Sequence, residues 1–194
     1  MGDLTMANKV EFGISKLHVG TYSVSDEGVV SLGTPYAQKG AVHVFVEPNG
    51  DTNKFYADNV VYYSSKSAQG FEGEIEVAKF DDDFKTKFLS AVELDDGGIA
   101  DIKGAAQTPV YFMFETDGDT EKRRVIVYNV TLGDIQREYN TIEEDREPVT
   151  EKIDITVTGD NKTGITKVVY APDASGYDSM FTTPPVPALP GESS

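Results

Sequence analysis

Val10, Phe12 and Ile14 alternate with other residues at the start of a stretch over 9–19, and Leu17 and Val19 continue the alternation with opposite parity. A period of two predicts a strand, and the parity switch near Ser15 and Lys16 predicts a bulge, one extra residue re-aiming every side chain after it. Residues 41–47 alternate again, with Val42, Val44 and Val46 predicted inward and His43 facing the other way. The cleanest alternation spans 71–80: Phe71, Gly73, Ile75 and Val77 share one face and Glu72, Glu74 and Glu76 the other. Asp81, Asp82 and Asp83 then precede Phe84, Phe88, Leu89 and Val92, the acidic start and apolar spacing of a helix over about 81–92. Residues 110–114 and 124–130 are apolar on both faces and flank a turn at Asp117, Gly118 and Asp119. Such strands need cover on both sides, from a second sheet, the helix or a neighbouring subunit. Ile153, Ile155 and Val157 mark a further strand, with 165–170 expected to pair with it across the turn at 159–164.

Three stretches fit this pattern poorly. Residues 48–70 open with turn chemistry at Pro48, Asn49, Gly50 and Asp51, then carry Phe55, Tyr56, Val60, Val61, Tyr62 and Tyr63. So aromatic a segment is either a core strand or an arm whose apolar residues are covered by a partner. Residues 133–148 are irregular and heavily charged, and 171–194, rich in Pro, Ser and Asp, are expected to form a flexible tail. The domain organisation predicted is an N-terminal extension over 1–8, a β domain over 9–170 and the tail over 171–194.

Composition supports the strands: 21 valines against 7 leucines, with 10 Tyr, 10 Phe and 18 Gly, describe a mainly antiparallel β domain with many turns. The 194 residues suit one domain with a tail. The formal charge of −16 at pH 7 argues against a nucleic-acid reader, because few cations are available to displace counterions from phosphates, and against adhesion to anionic membranes. Cysteine is absent, so disulfides, thiolate metal sites and cysteine nucleophiles are excluded together. No apolar run is long enough to cross a bilayer as a helix, and MGDLTMANKVEF lacks the basic and apolar regions of a secretion signal, so a soluble protein is expected. Met6 offers an alternative start to Met1.

Catalytic chemistry finds no foothold. His18 and His43 are the two histidines, neither in a metal-binding spacing, and no serine lies in a nucleophile elbow. Asn49, Asp51 and Asn53 match the opening of a calcium loop, but Lys54 and Val60 stand where a glycine and a bidentate acid are needed. Glu72, Glu74 and Glu76 stand about 6.5–7 Å apart along one strand, yet glycoside hydrolysis needs carboxylates facing each other across a sugar. They read instead as a solvated acidic row, or as a track of negative charge lining a passage. No catalytic residue, metal ligand or cofactor site is expected.

EPNGDTNKFYADNVVYY at 47–63, FEGEIEVA at 71–78 and EKRRVIVYNV at 121–130 resemble the major tail protein family of long, non-contractile-tailed bacteriophages. KVEFGISKLHV at 9–19 and EPVTEKIDITVT at 147–158 fit the same pattern, so the resemblance covers roughly 9–158. It implies a β-sandwich-like tail tube fold with one flanking helix and extended loops, and subunits that assemble into hexameric rings stacked as a hollow tube through which DNA leaves the capsid. It further implies a tape measure protein, a tail terminator and a distal tail or baseplate protein as partners, and residence in a virion tail assembled in the host bacterial cytoplasm. On this basis Phe55, Tyr56, Tyr62 and Tyr63 become candidate inter-subunit contacts, with 48–70 the first candidate stacking arm and 133–148 the second. Glu72, Glu74 and Glu76 become candidate lumen-lining acids that keep the genome sliding. The competing possibility is a β-sandwich module that binds carbohydrate or a cell surface through tyrosine-bearing loops.

Overall fold

The alternating stretches do form strands. The computed structural model describes residues 13–50, 52–57, 60–66, 70–117, 121–139 and 148–191, and within 52–57 and 60–66 the backbone pairing alone. In chain order the elements are β1 (Gly13–Val24), β2 (Val30–Leu32), β3 (Tyr36–Ala37), β4 (Ala41–Pro48), β5 (Thr52–Ala57), β6 (Val60–Lys66), β7 (Phe71–Val77), α1 (Asp82–Phe88), β8 (Val92–Glu93), β9 (Ile99–Ala100), β10 (Val110–Asp117), β11 (Arg124–Arg137), β12 (Glu151–Val157) and β13 (Lys167–Tyr170). Nine strands share one hydrogen-bonded network in the order β2-β1-β10-β11-β12-β7-β4, with β3 against β1 and β13 against β11. Every pairing in it is antiparallel.

The long strand β11 turns this network into two layers. Its first half pairs with β10 on one side and β13 on the other, and from Val130 onward it pairs with β12. The change falls at Asn129, which adopts the left-handed conformation (φ 51°) at a register shift and donates its side-chain amide to the Gly159 carbonyl at 2.7 Å. The first layer is therefore β1, β10, the first half of β11 and β13; the second is the rest of β11 with β12, β7 and β4. Between them lie Leu17, Val19, Val110, Phe112, Val125 and Val127 from one layer and Leu132, Ile153, Ile155, Val157, Ile75 and Val77 from the other, in a single buried cluster. Burial of these β-branched and aromatic side chains is the main favourable term holding the layers together.

The predicted bulge in the first strand is present. Ser15 faces Glu115 and His18 faces Met113, so Lys16 and Leu17 together oppose one residue, and Lys16 takes φ 55°. Residues 9–12, predicted to begin that strand, lie outside the described residues. The helix is shorter than predicted. Asp81 caps it by accepting from the Phe84 amide at 2.8 Å, and Phe84 and Phe88 are buried in the core, but Ser90 (φ 56°) breaks the helical path. Val92, predicted as the helix's last apolar position, instead pairs with Ala100 as strand β8 and is about half exposed.

Three further expectations are corrected. Val42 is exposed rather than inward, because the β4–β7 pairing slips one residue between Ala41 and His43; Val44 and Val46 do pack on the core. Residues 167–170 pair with β11 and not with the strand at 151–157, since both edges of β12 are already taken, by β11 and β7. Finally, 171–191 do not trail away from the domain: Met180 is fully buried against Tyr22, Tyr111, Met113, Ile126 and Tyr128 on the outer face of the first layer, and Tyr177 is nearly buried beneath the Arg124 guanidinium. These five core residues explain the position, because a strand apolar on both faces leaves its second face in water unless something covers it. The two-sided cover predicted for β10 and β11 is thus supplied by the second layer and by the chain's own C-terminal segment.

Candidate assembly surfaces

The acidic row of β7 is the centre of a larger charged face. Residues directly opposed in antiparallel strands point to the same side. Across β4, Glu72 faces Glu47, Glu74 faces Phe45 and Glu76 faces His43; across β12, the same three face Thr156, Asp154 and Lys152. The outer face of the second layer therefore presents Glu47, Glu72, Glu74, Glu76 and Asp154 around one ammonium group, Lys152. Sequence alternation identified the row on β7, whereas its extension onto both neighbours required the register.

The charges on this face are unevenly compensated. Lys152 Nζ lies 2.9 Å from Glu74 Oε1 and 3.6 Å from Glu76 Oε2, and the Thr150 hydroxyl donates to Glu76. The hydrogen bond from Thr150 and the charge of Lys152 hold the Glu76 carboxyl below its usual range, and the hydrogen bond to Glu74 raises Lys152. Asp154 accepts from Gln136 at 2.6 Å. Glu72 accepts only from the Asn49 amide at 3.1 Å among the contacts described, and it stands opposite another carboxylate, Glu47. Like charges so placed are destabilising. His43, Glu74 and Glu76 bring possible ligand atoms within 4.8 Å of one another, but Lys152 already rests on both carboxylates, the arrangement of an ion-paired face.

The same layer has two open edges. Among the described residues β4 pairs only with β7, and residues 131–137 of β11 pair only with β12. Each edge presents backbone donors and acceptors to which another strand can add.

The arm predicted at 48–70 is a hairpin of its own. β5 pairs with β6 in a separate two-stranded sheet, with Phe55 opposite Tyr63 and Tyr56 opposite Val61, and neither strand joins the main network. The side chains of Phe55, Tyr56, Tyr62 and Tyr63 lie outside the described residues, so their proposed contacts are untouched by the structure. The hairpin leaves the domain between Pro48 and Phe71, which are themselves paired, and its base is closed by the Asn49 amide on the Gly70 carbonyl at 3.0 Å. Gly70 adopts φ 106°, and a Cβ there would meet the Val157 carbonyl oxygen at 2.2 Å, so this root requires glycine. The second candidate arm is partly strand: Gly133 to Arg137 belong to β11, and 140–147 lie outside the described residues.

One surface escaped the sequence pattern. The β8–β9 hairpin and the chain after it leave Val92, Leu94 and Ile102 each about half exposed. Strands of two residues are too short to give a period, and the helix predicted through Val92 absorbed their signal.

No curated protein sequence is significantly similar to the chain. Among solved structures, a chain of the sheath–tube complex of an extracellular contractile injection system in its extended state aligns over 88% of this chain and 99% of its own, at 11% identity and a TM-score of 0.45. A chain of the tube-terminating cap of the anti-feeding prophage aligns over the same shares, at 12% identity and a TM-score of 0.41. At such scores neither similarity carries an argument. The family model described as phage tail tube protein, however, matches residues 5–174, most of the sequence. The chain belongs to the phage tail tube protein family, and its role is that of a structural, non-enzymatic component of a phage tail.

Proposed function

We propose that copies of this chain close into hexameric rings, that the rings stack into the tube of a long non-contractile tail, and that DNA passes through it at ejection. The observation that carries this reading is the second layer: four strands, open at both edges among the described residues, with an outer face of five carboxylates and one ammonium group. Open edges on opposite sides of a twisted sheet suit head-to-tail addition, and such a heterologous contact either closes into a ring or runs on as a filament. Closure removes the exposed edges altogether. With β4 of one copy beside the second half of β11 of the next, the acidic face would line the inside. Glu72, Glu74 and Glu76, with Glu47 and Asp154, would then repel DNA phosphates, so that the genome slides without being held.

The β5–β6 hairpin projects from the β4–β7 pair and is suited to reach an adjoining ring, where Phe55, Tyr56, Tyr62 and Tyr63 would bury aromatic surface. The tape measure, terminator and distal tail proteins would meet the tube inside and at its ends, with assembly in the host cytoplasm.

Electron microscopy of the concentrated, purified chain tests the reading. Rings or tubes with a central channel are expected; a dispersed monomer at all salt concentrations counts against it. Replacing Glu72, Glu74 and Glu76 together by Lys should leave tubes able to form but slow or stall ejection in a complemented phage. Normal ejection through an intact tube would remove the acidic lining from the mechanism.

A further inference from the structure

The cover over the first layer is fastened differently from every strand beneath it. Residues 171–191 join no sheet, and their backbone bonds are largely local: Tyr177 to Ala174 at 3.0 Å, Thr182 to Ser179 at 2.9 Å and Thr183 to Ser179 at 2.7 Å. Polar fastening to the body is sparse among the described residues. The Tyr177 hydroxyl donates to the Lys122 carbonyl at 2.5 Å and the Tyr128 hydroxyl to the Pro185 carbonyl at 2.8 Å. The remaining anchor is Arg124. Its Nη1 donates to the Tyr177 carbonyl and lies 3.5 Å from that of Asp178, while its guanidinium sits 3.9 Å from the Tyr177 ring centre and 4.7 Å from that of Phe181.

Arg124 is placed by groups on the domain side. Its Nε donates to Glu115 at 3.0 Å, and the Glu115 side chain is only 2% exposed. Lys16 reaches the same carboxylate at 2.9 Å from the β1 bulge, and His18, beyond the bulge, stacks on Phe181 with ring centres 4.6 Å apart. One guanidinium thus couples a buried carboxylate of β10 to two carbonyls and two rings of the cover. Lysine could not reproduce this, since it lacks the planar fork that bonds and stacks at once.

We propose that residues 171–191 form a strap that opens and closes as a unit of its own, latched by Arg124 on Glu115. Opening breaks the few polar contacts above and withdraws Met180 and Phe181 from the apolar face, but it breaks no ladder bond of β1, β10 or β11. Segments with so few bonds to their surroundings open at lower free energy than the whole domain. The latch therefore decides whether the parts of Met113, Ile126 and Tyr128 that Met180 and Phe181 cover are hidden or available, independently of the strand pairing of the two layers and of how copies pack into a tube.

Hydrogen exchange of the full chain, followed peptide by peptide, tests this. In the wild type the amides of Tyr177, Thr182 and Thr183 should exchange through an opening with little denaturant dependence, while those of 110–116 and 125–130 exchange with global unfolding. Strap amides that exchange only together with the strands would overturn the proposal without any variant. Arg124→Lys should speed strap exchange at least about tenfold, the loss expected on removing a charge-assisted hydrogen bond, and leave the strands nearly unchanged. Tyr128→Phe, which removes only the bond to Pro185, should have a smaller effect. An unchanged strap in Arg124→Lys, or an equal response to Tyr128→Phe, would show that Arg124 is not the latch.

Discussion

The two layers of this domain end in opposite outer faces. On the first, Tyr22, Tyr111, Met113, Ile126 and Tyr128 are sealed under the chain's own C-terminal segment. On the second, Glu47, Glu72 and Asp154 are exposed, with Glu74 and Glu76 partly buried beside one lysine. Both layers share one core and one continuous strand, so the contrast arises entirely from the outward half of each alternation. An apolar outward half must find a cover, which the chain supplies in cis; a charged one is kept in water or turned toward something it should not hold. In the proposed tube, where neighbours meet along edges and loops, a subunit gains from having just one of its broad faces bare.

The comparison can be broken most severely by removing the cover. A chain ending at Tyr170 should keep its strand pairing but aggregate or precipitate, because several large apolar side chains would return to water at about 1.5–3 kcal/mol each. A soluble, cooperatively melting truncation would show that the first layer's outer face needs no seal. A milder break is Met180→Ala, a buried truncation expected to cost about 2–5 kcal/mol in denaturant unfolding.

Next in size is the charge beneath the cover. Burial alone would raise the Glu115 carboxyl, but the hydrogen bonds and charges of Lys16 and Arg124 outweigh it and hold the group below the usual carboxylate range. Asp160 is likewise held low: burial opposes, and bonds from Thr163 and Tyr22 prevail. A depressed folded-state value stabilises above the ordinary carboxylate range and is lost as pH falls through that range toward the folded value. Stability should therefore be level near neutrality and fall below about pH 4. Glu115→Gln should lower stability at neutral pH by about 3 kcal/mol and flatten the acid limb; an acid limb identical to the wild type's would detach Glu115 from it.

The smallest effect belongs to the bare face. Glu72→Gln relieves the opposition to Glu47 and should stabilise by about 0.2–1 kcal/mol at low salt. The gain should vanish at 0.5 M salt, where screening shortens to well under about 8 Å. A gain unaffected by salt would point to a cause other than like-charge repulsion.

Much of this fold was legible in the chain. Strict alternation revealed β7 with its two faces, and a parity switch located the bulge at Lys16, because a period of two leaves no other way to change face. What stayed hidden lacked a period. The slip at Val42 shifts one residue within a run too valine-rich to show it. The C-terminal segment places Tyr177, Met180 and Phe181 irregularly among polar residues and prolines, so its composition reads as a tail although Met180 and Phe181 pack against a specific face. The helix was overextended because Leu89 and Val92 continue its apolar spacing, while the turn at Ser90 leaves no mark in that spacing. Of the acidic surface, the central row was visible in advance; Glu47, Asp154 and the compensating Lys152 lie in other segments and join it only through pairing.

The pairing of β1 with β10 bears on the order in which the chain can fold. Lys16 and Glu115 are 99 residues apart in sequence, and the first layer cannot close until β10 has been made. Contacts of such separation are formed slowly, since a long loop must be closed before they stabilise anything. On the ribosome, β1 can meet β2 and β3 early but must wait for β10 while β4 and β7, two of the second layer's four strands, emerge, and the segment that seals the first layer follows all of these strands. Synthesis thus holds an interval in which two apolar surfaces are open at once, the period in which such chains are most exposed to aggregation.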